Sequence, residues 1–242
     1  MSHAPAVEHL VTQIERNQEI ARQVEACTPS LRASLDRLQR WQCNRLDATY
    51  ADLRAQARYR DACEFFLDEL YGGRDVHERD RQLSRVVPVM RRFLPAHLLH
   101  AVGDAIRLQA VSLEFDLALA RILEPVDKLD QPAYAKAYRE HGGWDQRAEQ
   151  LTMIDDLGQL LDETVQRPLV HRLIRLMQRP AKMAGFGALQ GFLRRGLDAF
   201  AVMKGAEYFL ATIAEREQLA LEAMQQGEDW PFETWAGRGP EL

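Results

Sequence analysis

The chain has 242 residues, 46% of them hydrophobic and 28% charged, with a formal net charge of -5. This length and balance suit one large or two small domains around a sizeable core and exclude a disordered chain. The acidic charge argues against a general nucleic-acid binder, whose footprint is basic. Cys27, Cys43 and Cys63 are too few and too widely spaced for a disulfide framework or a zinc knuckle, which fits a reducing cytoplasm. The N-terminus shows neither a signal peptide nor a membrane span, because charges interrupt every long apolar segment.

Strand signals are nearly absent, and helix-period patterns fill the chain, so the expected fold is an all-α bundle of about seven helices. After a loose segment at residues 1–5, the first helix runs from about Ala6 to Ala26 on Val7, Leu10, Val11, Ile14 and Ile20, and stops at Thr28-Pro29. Ser30 is placed to cap the second, which continues on Leu31, Leu35, Leu38, Leu46, Tyr50, Leu53 and Ala57. Unbroken from Leu31 to Tyr71, that helix would be roughly 60 Å long against about 45 Å for a compact monomer of this size. It must kink, protrude or be shared with a second subunit. The apolar stripe is weakest near Trp41-Gln42-Cys43-Asn44-Arg45, where a kink is expected. With the first helix it would form a long N-terminal arm suited to homo-oligomerisation.

The end of this long pattern is the densest stretch of the chain. Tyr59, Ala62, Cys63, Phe66, Leu67 and Leu70 share one arc, while Asp61, Glu64 and Asp68 lie opposite, and Gly72-Gly73 stops the helix. Phe65 breaks the pattern by projecting into the polar sector. It either packs on a second neighbour or belongs to a binding surface with Phe66, Asp68, Glu69 and Tyr71. Phe65-Phe66-Leu67-Asp68-Glu69-Leu70-Tyr71-Gly72 resembles the signature of the bacterial FFLEELY-motif proteins, with Asp68 where the name has Glu. The resemblance implies a bacterial source and carries no catalytic or binding role to any position.

Asp75 to Leu94 reads as a third helix, bent by Pro88 and ended before Pro95. Residues 96–123 are the most apolar segment and belong in the middle of the bundle. Their polar residues therefore stand out: His100, Arg107, Glu114 and Arg121 recur every seven residues along one line, with Asp104 a turn from both His100 and Arg107. The line is either a solvent seam of ion pairs or a polar pocket in which His100, Asp104 and Arg107 bind a small acid or move a proton. His97 and His100, one turn apart, lack a third ligand in sequence, so no metal is expected and no cofactor is implied.

Pro125 and Pro132 bracket a loop, a short helix from Ala133 to Glu140 follows, and His141-Gly142-Gly143 ends it; a sub-boundary of the 6–227 bundle could lie at 125–143. The next pattern runs from Trp144 to about Arg179 with a kink at Pro168. From Thr164 to Leu197 there is no acidic residue. His171, Arg172, Arg175, Arg179 and Lys182 share one face, and Arg194 and Arg195 follow among glycines at helical spacing. This basic block points to a small phosphate- or carboxylate-bearing ligand, or else to the acidic C-terminal helix of the same chain. That helix, about Phe200 to Gln226, puts Glu217 in the centre of its apolar arc, where a carboxylate calls for a buried arginine. In the tail, 228–242, Trp230, Phe232 and Trp235 are placed to fold back onto the bundle. Two functions fit these residues: a non-enzymatic interaction module, or a binding protein or enzyme for a small anion.

Overall fold

The computed structural model describes residues 3–67, 87–88, 90–92, 94–167 and 187–238, and among these the regular structure is helical throughout. Asp68, Glu69 and Tyr71 of the aromatic motif, and His171, Arg172, Arg175, Arg179 and Lys182 of the basic stripe, lie outside the described residues. Among the described residues no helix is long and apolar enough to cross a membrane.

The first helix, α1 (His3–Glu25), buries Ala6, Leu10, Ile14, Asn17, Ile20 and Val24, a run of three- and four-residue steps that draws one stripe down the helix. Thr28, rather than Ser30, caps α2 (Pro29–Thr49): its side chain accepts the Leu31 N–H at 3.2 Å, and Pro29 takes the first turn, where a missing N–H costs nothing.

No break falls at Trp41–Arg45, where a kink is expected. The helix is continuous through that stretch and breaks later, at Tyr50 before α3 (Ala51–Ala55) and at Gln56–Tyr59 before α4 (Arg60–Phe66). Its stripe looked weak because Gln42 and Arg45 are polar, yet both are buried with polar partners, so they belong to the core face. Nor do α1 and α2 stand off as an arm, because both pack along α5 (Ala96–Leu123).

At 28 residues, α5 is about 42 Å long, and it contacts α1, α2, α6 (Gln131–His141) and α7 (Trp144–Val165). Asp130 caps α6 by accepting the Ala133 N–H at 3.0 Å. Gly142 and Gly143 follow at φ +67° and +71°, a left-handed pair that only glycine adopts without strain, and they turn the chain directly into α7. The last layer is α8 (Gly187–Met203), α9 (Glu207–Gln225) and the short α10 (Glu233–Ala236). The α7–α9 crossing is close because Gly158 has no side chain where the Leu210 methyls lie.

The largest apolar cluster joins Trp41, Leu117, Leu119, Leu123, Tyr134, Tyr138, Leu221 and Met224 with Phe232 of the tail. Phe232 is fully buried within ring contact of Trp41 and Tyr134, so the aromatic tail closes this end of the bundle. A second cluster gathers Tyr59, Cys63, Phe200, Phe209 and Leu210, and a third, Leu10, Ile14, Leu99 and Ile106, seals α1 to the start of α5.

Candidate functional site

The polar line on α5 faces α1 and α7. The two long helices α1 and α5 run parallel, since His3 meets the Leu94 carbonyl, His9 meets Asp104 and Arg16 meets Glu114, the numbers rising together. They approach closely at Gly103, where a Cβ would lie 2.5 Å from His9 Cδ2 and 3.3 Å from Leu10 Cα. The His9 imidazole uses that space and stacks on His100, with centroids 4.2 Å apart and planes 15° apart. Between them the rings address both oxygens of one carboxylate. His9 Nε2 is 2.8 Å from Asp104 Oδ1, and His100 Nδ1 is 2.9 Å from Asp104 Oδ2. All three side chains remain partly open to solvent, at 22%, 34% and 33% exposure for His9, His100 and Asp104.

Further along the seam, a cleft of about 390 Å³ opens between α1, α5, α6 and α7, lined by Arg16, Arg107, Glu114, Phe115, His141 and Glu149 among others. Arg16 forks onto Glu114, with Nε–Oε1 at 2.8 Å and Nη2–Oε2 at 2.5 Å. That fork holds the guanidinium pKa above its ordinary value. Arg107 is paired across the opening with Glu149 of α7.

Behind the Phe115 wall lies a buried cation. Arg147, 4% exposed, sits 3.8 Å from the centroid of Phe115 and 4.2 Å from that of Tyr138. Its Nη1 donates to the Tyr138 hydroxyl at 3.1 Å, while Nε and Nη2 have no hydrogen-bond partner among the described residues. The charge is held mainly by the faces of two rings. On the same turn of α5, Asp116 is buried and accepts from Gln42 at 3.1 Å and Gln39 at 3.3 Å. Burial raises its carboxyl pKa against the pull of those two amides and of Arg147.

The remaining expected site residues fall elsewhere. Phe65 is half-buried: a Cβ on Gly196 of α8 would lie 2.8 Å from its ring, so an aromatic on the polar side of α4 fills the space that a glycine leaves. Phe66 makes ring contacts with Phe200 and Phe209. Arg194 and Arg195 are exposed on α8. Glu217 has its buried arginine: it pairs with Arg45 and accepts the Tyr50 hydroxyl at 2.7 Å.

His100 and Asp104 are therefore brought together, and Arg107 is turned to a separate cleft. Sequence reasoning missed His9, Arg16, Glu149 and Arg147. One signal was available, since His9 and Arg16 are seven residues apart on α1, a spacing that puts both on one face of that helix, the face that meets α5.

The fold and seam define an all-α bundle with a small polar cleft and an adjacent histidine–aspartate cluster. The chain belongs to the family described as Domain of unknown function (DUF8198), which it matches over residues 21–231. No curated protein and no solved structure matches it. The matched span starts after His9 and Arg16, so the α1 side of the seam lies outside it.

Proposed function

We propose that the chain is a non-enzymatic binding protein for a small molecule carrying both a carboxylate and an amino group, held in the cleft between α1, α5 and α7. The observation that supports this is the paired lining, in which Arg16 with Glu114 and Arg107 with Glu149 present two cations and two carboxylates to one opening. A simple anion would have to displace two glutamates from their arginines. A molecule with both charges exchanges into the pairs instead, its carboxylate taking an arginine fork and its ammonium taking a glutamate. At about 390 Å³ the cleft is at the small end of ligand pockets, which suits an amino acid or a short peptide.

Calorimetric titration with a panel of amino acids and dipeptides tests this. Saturable 1:1 binding by a member of the panel is expected, weakened about tenfold or more in Arg107→Gln and Glu149→Gln, or about 1.4 kcal/mol. No binding across the panel, or affinities indifferent to both substitutions, removes the reading.

A second reading, a self-associating interaction module of a bacterial cytoplasm, is favoured by the four large apolar residues left exposed among the described residues: Val11 at 36%, Val202 at 45%, Tyr208 at 57% and Leu219 at 48%. Native mass spectrometry separates the two. Excess mass lost on denaturation supports a bound ligand, whereas a dimer of bare chains supports the interaction module.

A further inference from the structure

We infer that His9, His100 and Asp104 form a binding site for a first-row divalent transition-metal ion, Zn²⁺ or a close relative, clipping α1 to α5. This goes beyond the cleft and does not depend on it. One ligand atom from each of the three residues lies within 4.8 Å of the others, on two helices separated by some ninety residues of chain. The geometry is convergent: the two ring nitrogens that face inward, His9 Nε2 and His100 Nδ1, are both aimed at Asp104. Partial exposure of all three leaves an ion a way in and leaves coordination positions to water.

The donor set selects the metal class. Two imidazole nitrogens and one carboxylate suit Zn²⁺, Co²⁺, Ni²⁺ or Cu²⁺, whereas Ca²⁺ and Mg²⁺ take oxygen. The exchange balances without a redox step. The proton on His9 Nε2 moves to Nδ1, that on His100 Nδ1 moves to Nε2, and the freed lone pairs with an Asp104 oxygen replace three waters of the aqueous ion. At metal–nitrogen distances of about 2.0–2.1 Å the stacked rings must fan apart and the ligands draw together. Both rings are only partly covered, and Gly103 presents no side chain against the His9 ring.

Tag-free full-length protein is titrated with Co²⁺, followed by visible absorption, and then with Zn²⁺ by competition and thermal melting. One Co²⁺ per chain is expected, displaced by Zn²⁺, with a higher melting midpoint in Zn²⁺ because the ion binds only the folded seam. His9→Gln and Asp104→Asn keep hydrogen-bonding side chains and should each lower affinity at least ~10-fold, the scale that even indirect ligand support carries. His97→Gln, which changes an exposed histidine on the same helix, should not. His100→Gln serves if either core variant melts early. Failure of wild type to bind one ion per chain overturns the site, as does equal affinity in His9→Gln, His100→Gln and Asp104→Asn. Retained metal binding in Arg107→Gln, with or without amino-acid binding, separates this site from the cleft.

Discussion

Replacing Glu217 by Ala tests whether the centre of the bundle depends on one ion pair. Arg45 and Glu217 are 6% and 16% exposed, and the Arg45 guanidinium also lies 4.4 Å from the centroid of Phe232. Removing the carboxylate leaves a cation in a site that water barely reaches and takes the acceptor from the Tyr50 hydroxyl. Breaking one side of a buried pair costs about 3–5 kcal/mol. Because Glu217 retains some contact with solvent, the lower end applies, about 3 kcal/mol. For a chain of this size that is a fall in melting midpoint of roughly 6–12 °C. The double variant Arg45→Met/Glu217→Leu removes both charges and keeps the volume, so most of the loss should return, leaving about 1 kcal/mol for the orphaned hydroxyl. Urea denaturation of wild type, Arg45→Met, Glu217→Leu and the double closes the cycle, with Glu217→Ala measured beside it. A cost below about 1 kcal/mol for Glu217→Ala, or a double variant no more stable than that single, would refute the reasoning.

Gly103→Ala adds a methyl where His9 and the Leu10 backbone already sit. Overpacking costs about 1–3 kcal/mol and the better helix former returns about 1 kcal/mol. A net loss of about 1 kcal/mol and faster amide exchange in α1 are expected; a more stable variant would mean that α1 can move off without cost. Asp116→Asn addresses the carboxyl whose pKa is raised by burial. Such a group binds its proton more tightly when folded, so its stabilising contribution is fully present below the ordinary carboxylate range and is lost as pH rises. The midpoint difference, Asp116→Asn minus wild type, should therefore grow from pH 4.5 to pH 7.5, and a difference flat across those two measurements contradicts the assignment.

The residues that read correctly from sequence are those whose environment is set by their own helix. The central place of α5 follows from an apolar circumference, the end of α6 from Gly142-Gly143, and the need of Glu217 for an arginine from its position in an apolar arc. Trp41–Arg45 read wrongly for the converse reason. Gln42 and Arg45 look like surface residues until Asp116 of α5 and Glu217 of α9 supply their partners. Phe65 is intelligible only beside Gly196, more than a hundred residues away.

By itself the sequence determined the helical class, the faces of most helices, and a line of polar residues on the most apolar one, since those depend on a 3.6-residue period and on glycine and proline chemistry. The tertiary structure decided that α1 lies parallel to α5, and so brought His9 to His100 and Asp104, and Arg16 to Glu114. A helix's own period places a side chain on a face, but which face it meets is set by packing between segments remote in sequence. Here the absence of one side chain, at Gly103, lets the two faces close.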